Sequence, residues 1–174
     1  MAPHVSNILV NNFAPDKGLA LYVHWPFCVS RCPYCDFNSH VRGNVDQVEW
    51  REALLADLAH EAALLPGRRL GSIFFGGGTP SLMDPRTVAA VIDAAKTAWP
   101  AHDDLEITLE ANPNSAEAAR FSDLASAGVN RISLGLQPFA CGMGPTSAWL
   151  SLVGPIPQAK GYARSARRNL RSIA

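Results

Sequence analysis

The sequence has no apolar run long enough to cross a bilayer: its hydrophobic stretches are short and broken by Gly, Pro or charge, well under the roughly 20 residues of a spanning helix. No secretory leader is expected either. MAPHVSNILVNNFAPDKG carries no positive charge before Lys17 and no continuous apolar segment ahead of a small-residue cleavage site. Cysteine is scarce, with four among 174 residues, and three of the four are bunched. A chain that is 48% apolar can build a core without disulfide staples. These absences predict a cytoplasmic protein without a transmembrane segment, in a reducing compartment where bunched thiols favour a metal. Net charge is absent too, but its zero hides an asymmetry. Residues 1–139 hold all fifteen acids against ten Lys and Arg, a balance of −5. Residues 140–174 hold Lys160, Arg164, Arg167, Arg168 and Arg171 and no acid, a balance of +5. So abrupt a shift marks a boundary. The expected division is an N-terminal extension (1–18), a core (19–139) and an atypical basic tail (140–174).

What is present in the core repeats one pattern. LALYVHW (19–25) reads as a buried strand that Pro26 ends. Residues 45–65 place Val48, Leu54, Leu55, Leu58 and Ala62 at helical spacing and stop at Pro66-Gly67. A second strand at 70–75 runs into glycines, and Asp84-Pro85 caps a helix that ends before Pro100. LEITLEAN (105–112) alternates as a third strand. Ser115 can cap the next helix, Gly128 closes it, and RISLGLQ (131–137) is a fourth strand. Strand and helix in alternation predict an α/β fold of parallel strands, an open sheet or part of a barrel. Such folds gather chemistry at the C-terminal strand ends. Here those ends are the cysteine loop, GGGTP, EANPN and LQPF.

CVSRCPYC (28–35) spaces Cys28, Cys32 and Cys35 by three residues and then two. A four-iron cube offers one iron to each thiolate, so three local cysteines leave one iron open to an exogenous ligand. The alternative is zinc, which needs a fourth ligand such as His24 or His40. His24, between Val23 and Trp25, reads as a buried, hydrogen-bonded side chain, and Cys141 as an incidental thiol. Arg31 reads as an exposed loop residue. Taken alone, GGG is a tight strand-to-helix turn, Glu110 a solvated carboxylate and Tyr22 a core aromatic.

YVHWPFCVSRCPYCDF, FFGGGTPSL, LEANPN and GVNRISLGLQPF, in this order, change that weighing. Over residues 19–139 they resemble the oxygen-independent coproporphyrinogen oxidase branch of the radical S-adenosylmethionine (SAM) superfamily. Coproporphyrinogen dehydrogenases of that branch usually carry another cysteine two positions after the third. Phe37 stands there, and CDF resembles the branch's haem-chaperone subgroup.

The resemblance implies the N-terminal part of a TIM-like (β/α) barrel, about four βα units. It implies a 4Fe-4S cluster on Cys28, Cys32 and Cys35 whose open iron binds SAM, and one-electron cleavage of SAM to methionine and a 5′-deoxyadenosyl radical. Gly76, Gly77, Gly78 and Thr79 would admit SAM closely to the backbone. Tyr22, Tyr34 and Glu110 would line the same pocket, and Gln137 matches a position beside a second SAM. The implied function is a haem chaperone that binds haem and passes it to an acceptor, served by an electron donor, with no nucleic acid. The alternative is the porphyrinogen oxidase itself. No residue stands out as the haem ligand.

After LGLQPF the family pattern gives way to a tail rich in Gly, Pro, Ser, Ala and Arg. One reading is a basic arm for nucleic acid or anionic lipid. The preferred reading is a family reading frame lost near Ala140, which translation of the other two downstream frames decides. Full eight-unit barrels run about 250 residues. Four units are therefore expected to leave an unpaired sheet edge and a marginally stable chain.

Overall fold

Apolar side chains alternate with partly exposed ones along these strands, as the pleat requires of a sheet with one face in a core. The computed structural model describes residues 8–11, 18–30, 35, 38–111, 118–136 and 150–155. Ile8–Asn11 (β1) runs antiparallel to Leu19–Trp25 (β2), with Ile8 opposite Val23. Phe27–Cys28 (β3) and His40–Val41 (β4) form a small parallel pair. Gln47–Leu64 (α1) opens on Asp46, whose carboxylate accepts the N–H groups of Val48 and Glu49 at 2.9 and 3.1 Å. Leu70–Gly77 (β5), a 3-10 turn at Pro80–Leu82 and Pro85–Ala98 (α2) follow. Ala101–Ala111 (β6), Ala118–Ser126 (α3), Arg131–Leu136 (β7) and Leu150–Pro155 (β8) complete the order.

One sheet takes the order β1-β2-β5-β6-β7-β8. Its four inner strands, β2, β5, β6 and β7, are parallel, and each successive pair is joined through one helix. This is the repeated βα architecture the alternation predicts. Leu21, Val23, Phe75, Leu109 and Ile132 on one face join Leu54, Leu58, Val91, Ile92 and Leu124 of the helices in a single apolar cluster. The residues between them, Tyr22, His24, Phe74, Glu106, Thr108, Glu110 and Arg131, belong to the other face. That face is polar: Arg131 pairs with Glu106, and the Thr108 hydroxyl donates to Glu106 at 2.9 Å. Helices thus cover the apolar side and leave the chemistry on the other.

Asp84 caps α2 with Pro85 at its first position, and Gly128, at φ +105°, ends α3's exit turn, both as expected. Three expectations need correction. Val48 is 52% exposed, because Asp46 starts the helix just before it and the first turn faces solvent. The third strand begins at Ala101, where exposed Asp103 and Asp104 hide the alternation. The parallel core also has no unpaired edge: β1 covers β2, and β8 covers β7 from Arg131–Pro155 to Leu136–Leu150. ILVN and LSLVGP are short apolar runs inside segments whose overall composition is not strand-like. Ser115, Arg31 and Cys141 lie outside the described residues. Among the described residues no helix is long and apolar enough to cross a membrane.

Candidate functional site

The parallel register brings the C-terminal ends of β2, β5 and β6 together. Trp25 stands opposite Gly77, and the Phe75–Leu109 pair sets Gly76 and Gly77 beside Glu110 and Ala111. The chain leaving β5 is then stitched to the cysteine strand. Gly78 N–H donates to the Trp25 carbonyl at 2.7 Å, and Thr79 N–H to the Phe27 carbonyl at 2.9 Å. The approach is so close that a Cβ on Gly78 would lie 2.6 Å from the Phe27 oxygen and 3.0 Å from Cys28 Sγ. The Thr79 hydroxyl donates to Cys28 Sγ at 3.6 Å, a contact that suits a sulfur bearing negative charge. Thr79 is itself buried.

Two backbone bonds close the base of the cysteine loop: His40 N–H to the Pro26 carbonyl at 2.6 Å, and Arg42 N–H to the Cys28 carbonyl at 3.2 Å. Beneath it Phe27 meets Trp25 and Trp50 edge to face, at 5.1 and 4.8 Å between ring centroids. The Arg42 guanidinium covers Phe27 at 5.5 Å. Cys28 and Cys35 are free, half-buried thiols. Cys32 and Tyr34 lie outside the described residues, as do Phe37 and Gln137. A rigid aromatic floor, thiols not consumed by a disulfide and a side-chain-free backbone against Cys28 suit a bulky inorganic group on the cysteines.

On the polar face Tyr22, His24 and Glu110 form one assembly with the glycines. His24 Nε2 faces the Asn38 carbonyl at 3.2 Å, and a carbonyl only accepts, so Nε2 carries the proton. In the neutral ring Nδ1 is then the acceptor for the Tyr22 hydroxyl, 3.3 Å away. Tyr22 also stacks on Phe74 at 6.1 Å. The expected hydrogen bonds of His24 are thus present, but its side chain is half-buried rather than buried, because it lies on the sheet face the helices leave uncovered. The β-strand period could have shown this, since Tyr22 and His24 share a face two residues apart. Gly76 and Gly77 let these rings pack directly on β5: a Cβ at 76 would meet Tyr22 at 2.8 Å, and at 77 the His24 ring at 2.7 Å. Gly77 also has φ +115°, which other residues rarely adopt.

Gly77 N–H donates to Glu110 Oε2 at 3.3 Å. Burial pushes the Glu110 carboxyl above its ordinary value, against the lowering effect of that bond. Burial, and then the Glu110 charge, likewise raise the Tyr22 phenol. A carboxyl whose pKa is raised by folding binds protons more tightly in the folded chain, so its contribution to stability is lost as pH rises from the unfolded to the folded pKa. Glu110→Gln is therefore expected to gain stability relative to the parent as pH rises through and above the ordinary carboxylate range. Paired melting curves of the cluster-free proteins against pH measure it; parallel curves would show that Glu110 is not strained by burial.

Of the residues expected at the site, Tyr22, Cys28, Gly76, Gly77, Gly78, Thr79 and Glu110 converge on these strand ends. The arrangement can hold a group on thiolates and set a carboxylate and a phenol beside it.

Residues 22–140 match the family model of the Radical SAM superfamily. The chain is 48% identical over 123 residues to the heme chaperone HemW of Escherichia coli K12, covering 70% of this chain and 32% of that protein. It is 50% identical over 118 residues to the mitochondrial radical S-adenosyl methionine domain-containing protein 1 of Bos taurus, covering 68% and 27%. Among solved structures it superposes on coproporphyrinogen III oxidase (HemN) from Escherichia coli, a radical SAM enzyme. That match has a TM-score of 0.62 and 30% identity over 68% of this chain and 28% of that one. The chain thus spans 32% or less of the length of these relatives.

Proposed function

The chain belongs to the radical SAM superfamily, and we propose that it forms the N-terminal part of a TIM-like α/β barrel and is a cluster- and SAM-binding protein of the haem-chaperone type. Cys28, Cys32 and Cys35 would hold a 4Fe-4S cluster. When bound, that cluster supplies an iron with an open position and one electron for the sulfonium of SAM. The carrying observation is the GGGTP loop sewn against Cys28, with Glu110 and Tyr22 on the adjoining strands. Gly76 to Thr79 would line the SAM pocket beside the cluster, and Tyr34 and Gln137 would extend it. A cationic sulfonium or ammonium would hold Glu110 ionised against the upward pull of burial.

Two points favour the chaperone over porphyrinogen oxidation. Identity is 48% to HemW and 30% to HemN. Phe37 also occupies the position of the dehydrogenases' further cysteine. Haem, a haem acceptor and an electron donor are the partners of this reading, in a reducing compartment such as the cytoplasm. We read 19–139 as the radical SAM core, with β1 and β8 pairing on its edges from outside it, and the basic tail as frame-shifted.

Anaerobic reconstitution with iron and sulfide tests the reading. The expected result is a paramagnetic signal on reduction that SAM perturbs, lost in Cys28→Ala and Cys35→Ala, with haem binding seen by absorption and no product from coproporphyrinogen III. Zinc uptake without such a signal would overturn the cluster; turnover of coproporphyrinogen III would favour the oxidase.

A further inference from the structure

The loop after β5 carries Gly78 and Thr79 against Cys28, and it needs a fixed position to do so. Part of that is internal: the 3-10 turn bonds Leu82 N–H to Thr79 O and Met83 N–H to Pro80 O, each at 3.0 Å. Its outer side is not close-packed. A cavity of about 330 Å³ opens there, lined by Gln47, Leu82, Asp84, Pro85, Arg120 and Asp123. Hydrogen bonds from two helices cross this junction. Arg120 of α3 donates through Nε to the Ser81 carbonyl and through Nη2 to the Met83 carbonyl at 3.5 Å. Ser81 and Met83 are 0% exposed, so losing a donor to their carbonyls is costly. From α1, Gln47 Oε1 accepts the Asp84 N–H at 2.9 Å, and the Gln47 carbonyl accepts the Thr87 hydroxyl at 3.4 Å. The Asp84 carboxylate is occupied by Arg86 and does not draw Arg120 away.

We infer that Arg120, assisted by Gln47, is a positioning residue for the SAM pocket: from outside the sheet it holds the Ser81–Met83 carbonyls and thereby keeps Gly78 and Thr79 on Cys28. The identity of the ligand rests on the proposed function; the clamp itself does not. A guanidinium suits the task because its planar fork meets two backbone acceptors at once, where an ammonium is a single point charge.

Hydrogen exchange on the full, cluster-free chain reads the clamp directly. Arg120→Gln is expected to speed exchange at Thr79, Leu82 and Met83 about tenfold, leaving the β2 amides protected. In the reconstituted protein the same change is expected to raise the SAM concentration needed for half-maximal spectral change about tenfold, with iron content unchanged. Arg120→Lys is expected to recover part of both. Should Arg120→Gln fail to fold, Gln47→Ala carries the same two expectations. Unchanged loop exchange overturns the clamp. Faster exchange with an unaltered SAM midpoint overturns its positioning role. Wild-type protein that takes up the cluster but ignores SAM overturns the proposed function, and the exchange result then decides the clamp alone.

Discussion

Gly78→Ala is expected to deprive the reconstituted protein of most of its iron and to weaken whatever SAM response survives. The added methyl would sit 2.6 Å from the Phe27 carbonyl oxygen, 2.9 Å from its carbon and 3.0 Å from Cys28 Sγ. Two of these three obstacles are backbone, so no change of rotamer relieves them. Room can be made only by lengthening the Gly78–Trp25 and Thr79–Phe27 bonds that sew the loop to the cysteine strand. Overpacking of this kind costs about 1–3 kcal/mol, and each weakened backbone bond adds about 1 kcal/mol. The strain falls on Cys28 itself, since the Thr79 hydroxyl and the Gly78 backbone both abut it. Gly76→Ala should be milder, because it meets the tips of the Tyr22 and Phe74 rings, which can swing. Gly43→Ala is the control, with nothing within 4 Å of the new carbon. Iron and sulfide per chain after anaerobic reconstitution measure the order. Full iron and an unaltered SAM response in Gly78→Ala would remove the loop's close approach from the account of the site.

That approach shows what one strand-end residue can reveal and what it cannot. The parallel core was legible because each inner strand contains a short apolar or alternating run closed by Pro, Gly or Asn, and each helix has a readable start or stop such as Asp84-Pro85 or Gly128. A βα repeat then puts Cys28, Gly76 and Glu110 at equivalent strand ends before any contact is known. β1 and β8 were not legible, because four- and six-residue runs that add antiparallel edges have no following helix to announce them. Val48 misled because helical spacing does not say where solvent lies. Arg120 was invisible for a different reason. Its partners are backbone carbonyls 39 and 37 residues away, and a carbonyl acceptor leaves no mark on the identity of the residue that bears it.

The opposite end of the sheet separates stability from site chemistry, and Trp99→Ala is the change expected to do it. Trp99 follows α2, is 0% exposed, and donates through its indole N–H to the Leu65 carbonyl at 2.9 Å, where α1 has just ended. It therefore pins two helix ends together near the starts of the strands, where Leu19 N–H meets the Arg69 carbonyl and Leu70 N–H the Pro100 carbonyl. Removing a buried indole costs about 3–5 kcal/mol through lost transfer energy and the cavity left behind. Against a typical total of about 5–15 kcal/mol, that is a large share. For a chain of this size it corresponds to a fall in melting temperature of roughly 6–20 °C. Trp99→Phe keeps most of the ring and loses the donor, so it should fall by much less. Neither change touches Cys28, Gly78 or Glu110, so iron uptake and the SAM midpoint, measured well below the melt, are expected to match the parent. Gly78→Ala should give the reverse pattern, with the larger loss in iron. If Trp99→Ala instead sheds its iron while still folded, the two ends of the sheet are mechanically coupled, and the cysteine strand owes its position to the whole core rather than to the loop sewn against it.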